Sequence, residues 1–298
     1  MRDWAKTKVH FLGIGGSGMS GLARIMIARG AHVSGSDIQD SPSLAGLRSI
    51  GATVLIGHKA SNLGNVDFVV RSSAIAHDNV EISEARNRGI AVLERAEALA
   101  SLMEGATSVA IAGTHGKTTT TSMLTVALQH CGLDPSFSIG ATVRNSGTNA
   151  HHGSGDIFVV EADESDGSFI AYQPHGAVIT NIELDHVDNF KSLAEIEELF
   201  KNFVSTIKAG GFLVICADDS GTEKLLLELK KNPRKDLTII TYGENPLSDL
   251  KIDRIHVGPK SASARVTFKG RVLGEIELAI SGRHNLLNAA AALAAAIA

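Results

Sequence analysis

The sequence predicts an α/β protein of two parallel-sheet domains, and three observations carry that prediction. Short apolar, β-prone runs alternate with helix-period segments along most of the 298 residues. The alternation pauses once, over a helical, Ala-rich stretch at 94–105, and restarts at Ser108. Near the start of each half, a glycine turn stands between a strand and a helix.

In the first half, Val9 to Leu12 reads as a strand leading into Gly13-Ile-Gly15-Gly16-Ser17-Gly18. A helix through Leu22, Ala23, Ile25 and Met26 follows, closed by Gly30. The next strand begins at His32 and ends on Ser36-Asp37, and Pro42 marks the first turn of a helix. Strands at 53–56 and 66–70, a helix at 80–88 stopped by Gly89, and a strand at 90–93 complete a βαβα order. The reading is a Rossmann-like parallel-sheet domain over 1–94 and a linker helix over 95–107. The second domain, over 108–298, is P-loop ATPase-like, with strands at 108–112, 157–160, 177–182, 212–216 and 237–241. Its helix at 193–207 opens with the capping-box pattern Ser192-x-x-Glu195. Alternating runs between 250 and 280 predict extra antiparallel strands. The final Asn288-to-Ala298 helix pattern stops with no cap, charge or glycine, which predicts a chain cut out of a longer protein.

Composition narrows the function classes. Hydrophobic residues at 44% and charged residues at 20% describe a globular chain, and a net charge of −4 with no Lys/Arg cluster argues against bulk nucleic-acid binding. Aromatics at 4% argue against a base-stacking platform. No apolar run reaches the ~18 residues of a membrane span, and no signal-peptide core opens the chain. Cys131 and Cys216 make neither a disulfide framework nor a zinc site, so a reducing cytoplasm is expected.

The most informative stretch is Val109 to Thr121, where an apolar run ends in Gly113-Thr114-His115-Gly116-Lys117-Thr118-Thr119 and continues as a helix. Free backbone N–H groups and the positive helix end make an anion site there. Lys117 adds a mobile charge for terminal phosphates, and the Thr118 hydroxyl is placed for Mg²⁺. Full P-loop spacing would need glycine at Ile111, so this loop is shortened. Gly13-x-Gly15-x-x-Gly18, with Asp37 ending the next strand, is a dinucleotide fingerprint that cannot by itself distinguish NAD from a UDP-linked compound. The second phosphate site favours an ATP-driven ligase acting on a nucleotide-linked substrate over a nicotinamide-dependent dehydrogenase.

Acids follow the strand at 157–160: Glu161, Asp163, Glu164 and Asp166. Glu161 is the expected Mg²⁺ ligand, and the other three read as solvated turn residues or an outer support. His186, among carboxylates after the strand at 177–182, is either a second metal ligand or an ordinary satisfied histidine. Asn285 and Asn288 suit an adenine edge or a helix cap.

Taken together, these stretches closely resemble the Mur ligase family. The resemblance rests on His10-Phe-Leu-Gly-Ile-Gly-Gly-Ser-Gly-Met-Ser-Gly-Leu-Ala23, Ser34-Gly-Ser-Asp37, Gly113-Thr-His-Gly-Lys-Thr-Thr-Thr120 and Glu161-Ala-Asp-Glu-Ser-Asp166. It also rests on Thr180-Asn-Ile-Glu-Leu-Asp-His-Val-Asp188 and Gly282-Arg-His-Asn-Leu-Leu-Asn288. It implies that Gly15, Gly16, Ser17, Gly18, Met19, Ser36, Asp37, Ser72 and Ser73 bind the UDP of UDP-N-acetylmuramate. It implies that Gly113 to Thr119 with Asn285 and Asn288 bind ATP. It implies Mg²⁺ at Thr118, Glu161 and His186, with Lys117, Glu161 and His186 catalytic. The implied reaction joins L-alanine to the lactyl carboxylate of UDP-N-acetylmuramate through an acyl phosphate, in a cytoplasmic monomer or weak homodimer. A ligase that instead recycles a murein peptide onto the same UDP-sugar is the nearest alternative. Such ligases carry a third, C-terminal domain, so these residues would make the first two. Lys201 lies where some relatives carry a carbamylated lysine and is expected here to be a surface helix residue.

Overall fold

A computed structural model describes residues 3–143, 147–165, 167–185, 190 and 192–298. The chain divides into two compact units: residues 1–105 with 136–156, and residues 106–135 with 157–298.

The first unit contains β1 (Lys8–Leu12), α1 (Ser17–Ala28), β2 (His32–Asp37), α2 (Pro42–Ser49), β3 (Thr53–Ile56), β4 (Phe68–Arg71), α3 (Val80–Asn87), β5 (Ala91–Glu94) and α4 (Arg95–Met103). Its five strands are parallel in the order β3-β2-β1-β4-β5. The order reverses at β1, so the crevice beyond the carboxyl ends of β1 and β4 is the place for a ligand. Helix starts match their sequence signals. Ser41 Oγ accepts from Leu44 N with Pro42 at the first position, and Asn79 caps α3. Glu94 and Glu97 form a reciprocal capping box on α4. That helix buries Ala96, Ala98, Leu99, Leu102 and Met103, so 95–103 belongs to the first unit's core and is no free linker.

The second unit opens with β6 (Thr107–Ala112) and α5 (Lys117–His130). The chain then returns to the first unit as the antiparallel hairpin β7 (Ser136–Val143) and β8 (Thr148–His151), packed on α1. Sequence periodicity gave no sign of that excursion. The second unit resumes with β9 (Ile157–Glu161), β10 (Gly176–Ile179), α6 (Leu193–Ser205), β11 (Phe212–Cys216), α7 (Ser220–Lys231) and β12 (Thr238–Gly243). It closes with β13 (Leu250–Val257), β14 (Ala262–Phe268), β15 (Arg271–Leu278) and α8 (Arg283–Ile297). Its strands run β15-β14-β13-β12-β11-β10-β6-β9, with antiparallel pairing at β13/β14 and β14/β15. Strands β6, β10 and β11 are apolar on both faces, as a parallel sheet covered by helices requires. Helix α8 lays its alanine face (Ala290, Ala291, Ala294, Ala295) inward and packs against α5. No helix among the described residues is long and apolar enough to cross a membrane.

Candidate functional site

The second unit's site grows from the register of three adjacent strands. Ala112 pairs with Ile179 and Ile111 with Glu161, so the segments after β6, β10 and β9 emerge side by side. Gly113 has φ +134°, and a Cβ there would collide with the Thr180 hydroxyl and lie 3.0 Å from Thr180 N. Gly116 has φ +85°, and a Cβ there would collide with Asn288 Oδ1. Only glycine fits either position. Residues 180–183 brace the turn. Thr180 Oγ1 donates to His115 O at 2.6 Å, Asn181 Oδ1 accepts from His115 N at 2.8 Å, and Thr114 Oγ1 accepts from Glu183 N at 2.9 Å. The first-turn N–H groups of α5 thus follow directly on a hydrogen-bonded turn, the arrangement that can hold an anion.

Thr118 Oγ1 donates to Glu161 Oε1 at 2.8 Å, bringing together two of the three expected magnesium ligands. Lys117 Nζ lies 2.8 Å from Gly113 O, 3.1 Å from Thr114 O, and 2.9 and 2.8 Å from the two oxygens of Glu164. Glu164 is therefore no solvated turn residue: its side chain is 2% exposed. Burial pushes its carboxyl above the usual range, and Lys117 opposes that rise. Asp163 does behave as a turn residue, accepting from Ser165 N at 3.0 Å. Asp166 and His186 lie outside the described residues. Among the described residues, no group of three His, Cys, Asp or Glu is assembled for a metal.

Other predicted residues separate by role. His115 is exposed, 4.0 Å from Glu183, and Thr119 is half-buried in the first turn of α5. Asn288 is buried against Gly116, shaping the loop, whereas Asn285 is half-buried and donates to Ser281 O at 2.8 Å. Lys201 is an exposed helix residue 3.0 Å from Glu198.

In the first unit, Gly13 N and Ile14 N donate to Ser36 O, and Gly15 N donates to Asp37 Oδ2 at 2.8 Å. Asp37 thereby clamps the glycine turn to β2. Gly16 caps α1, and a Cβ on Gly18 would press Arg95, so that glycine serves helix packing. Ser36 and Met19 are buried: the Ser36 hydroxyl donates to Glu81 at 2.7 Å, and Met19 belongs to the core. Ser72 stands against Gly13, and Ser73 is exposed. A cleft of about 360 Å³ opens beside the turn, lined by Gly15, Ser17, Ser20, Arg24, Thr148 and Asn149. Arg24 was legible only as the third member of a Ser17, Ser20, Arg24 helix face, and Asn149 comes from the unforeseen hairpin.

Fold and sites together define an α/β protein with a strand–glycine turn–helix junction in each of two units. Residues 8–107 match the family model described as "Mur ligase family, catalytic domain", and residues 111–296 match "Mur ligase middle domain". The chain belongs to the Mur ligase family. It is 48% identical to the UDP-N-acetylmuramate–L-alanine ligase of Salinispora arenicola, over 97% of this chain and 56% of that protein. The ligase of the same description from Acidothermus cellulolyticus is also 48% identical, over 97% of this chain and 60% of that one. Among solved structures, UDP-N-acetylmuramate-alanine ligase from Thermotoga maritima superposes with a TM-score of 0.81 at 29% identity, covering 97% of this chain and 64% of that one. The UDP-N-acetylmuramate:L-alanyl-gamma-D-glutamyl-meso-diaminopimelate ligase from Neisseria meningitides gives 0.87 at 29%, covering 98% and 93%. The chain thus spans a little over half the length of these curated relatives.

Proposed function

We propose that this chain supplies the nucleotide-handling part of an ATP-dependent ligase that joins L-alanine to the lactyl carboxylate of UDP-N-acetylmuramate, for peptidoglycan precursors. The observation that carries the reading is the convergence of Lys117, Thr118 and Glu161 on one braced glycine turn, in a chain 48% identical to ligases of that description. In this reaction the lactyl carboxylate attacks the γ-phosphorus of ATP, ADP leaves, and the acyl phosphate is opened by the amine of L-alanine with release of phosphate. Lys117 neutralises charge on the transferring phosphoryl group, and the loop N–H groups hold the phosphates in line. The hard oxygen donors Thr118 and Glu161 fit Mg²⁺, which would supply positive charge against the triphosphate. In the first unit, the clamped turn at Gly15 and the cleft lined by Ser17 and Arg24 suit the diphosphate of the UDP-sugar. We place this step in the cytoplasm, and no helix among the described residues is long and apolar enough to cross a membrane.

The likeness to the Neisseria ligase favours a second reading, in which a peptide replaces L-alanine. Calorimetric titration tests the main proposal: UDP-N-acetylmuramate and MgATP are expected to bind, and NADH is not. Binding of NADH without MgATP would replace the ligase reading with a dehydrogenase. Phosphate release dependent on the peptide but not on L-alanine would favour the second reading.

A further inference from the structure

We propose that Glu164 is a positioning residue for Lys117, the fixed point about which the lysine ammonium turns from the loop carbonyls to the phosphates of a triphosphate nucleotide. This rests on the reading of the second unit's turn as an ATP site. A lysine ammonium has three N–H donors. Those of Lys117 are spent on Gly113 O at 2.8 Å, Thr114 O at 3.1 Å and the Glu164 carboxylate at 2.8–2.9 Å. A donor for phosphate must therefore come from one of these contacts.

The three are not equal. Gly113 O and Thr114 O are neutral acceptors on the loop itself, and losing such a bond is a small change. Glu164 is a charged acceptor with a side chain 2% exposed, and its bond to the ammonium is charge-assisted. Pulling the cation off a buried carboxylate leaves charge uncompensated in a dry setting, the costliest of the available changes. The carbonyl contacts are thus released first and the carboxylate contact is kept. The backbone geometry suits this pivot. Glu164 follows Glu161 by three residues at the end of β9, and Lys117 precedes Thr118 by one, so the lysine–carboxylate pair runs beside the 2.8 Å Thr118–Glu161 contact. One strand end then supplies the acid for the metal and the anchor for the lysine.

The test is calorimetric titration with MgATP and MgADP. The ratio of the two dissociation constants isolates what the terminal phosphate gains, and an ion pair that only holds the fold together moves both constants alike. Glu164→Asp keeps the charge but withdraws it by one methylene, and Glu164→Gln keeps the reach but removes the charge. In both, the preference for ATP over ADP is expected to fall at least about fivefold. It should approach the value of the Lys117→Met, Glu164→Gln double variant, where both charges are removed together. An unchanged preference in the single variants would overturn the proposal. A structure of the unmodified chain with MgATP needs no variant to fold. Nζ is expected between the Glu164 carboxylate and a phosphate oxygen, and away from Gly113 O. Nζ on a phosphate but beyond about 4 Å from Glu164 would also overturn it. A parent chain that binds neither nucleotide removes the ATP reading itself and this proposal with it.

Discussion

Single atoms decide the character of the second unit's turn. At Gly113 and Gly116 a methyl group meets Thr180 and Asn288 in backbone conformations an L side chain avoids, so Gly116→Ala is expected to destabilise by about 2 kcal/mol. Denaturant unfolding should register that loss, and MgATP affinity should fall with it. Thr118 offers a cleaner probe, because its hydroxyl reaches Glu161 from a half-buried side chain without filling core. Replacing Thr118 by Val keeps the volume and removes the oxygen donor. The gain in ATP affinity on adding Mg²⁺ should then shrink at least about tenfold, which is about 1.4 kcal/mol. Equal magnesium dependence in parent and variant, measured by paired titrations, would remove Thr118 from the metal's surroundings.

Elements carry a second kind of information, visible in how α3 is tied to β2. Glu81, in the first turn of α3, is completely buried. Burial alone would raise its carboxyl, but bonds from His10 at 3.0 Å, Ser36 at 2.7 Å, Asn62 at 2.7 Å and Lys59 N at 2.9 Å outweigh it and hold the carboxyl at about 2. A depressed folded value means that this stabilisation is complete above the unfolded value near 4.5 and is lost as pH falls toward 2. The size at neutral pH is about 3 kcal/mol. Trp4, the single tryptophan, lies in the same unit and is buried there, so its fluorescence follows this unit's unfolding. Glu81→Gln should lower denaturant stability at pH 7 by about that amount, with the gap to the parent closing between pH 4.5 and 2. A gap independent of pH would show that the carboxylate charge carries none of it. The sequence displays Glu81 as an ordinary acidic residue in a helix first turn. Its partners arrive from β1, β2 and the 57–62 segment, and no local periodicity registers such a meeting. Glu164 was hidden for the same reason: only the approach of Lys117 distinguishes it from the acids beside it.

At the scale of the whole molecule, what could be read in advance was whatever is written locally. Strand–glycine–helix order, the helix start at Pro42, the cap at Ser192 and the two loops all depend on neighbours in sequence, and each appears in the structure. The return of 136–156 to the first unit depends on long-range contact with α1, and Ser136–Val143 is interrupted by Gly140, so its alternation is faint. That excursion matters to function because it brings Thr148 and Asn149 to the cleft at Gly15, with Asn149 donating to Ser17 O at 3.0 Å. Among the described residues, those named at each site fall within one unit: Asp37 and Asn149 in the first, Lys117, Thr118, Glu161 and Asn288 in the second. Changes with no shared partners add independently. Asp37→Ala frees the glycine turn by removing the acceptor of Gly15 N, and it should weaken UDP-N-acetylmuramate binding at least about tenfold, or about 1.4 kcal/mol. The MgATP dissociation constant of that variant should stay within about twofold of the parent's, since additive sites agree to about 0.3–0.5 kcal/mol. Thr118→Val should give the mirror result, with the UDP-sugar constant unmoved. Titrating both variants with both ligands makes a closed square of four constants, and a cross-effect as large as the direct one would mean that the two nucleotides share a single binding element.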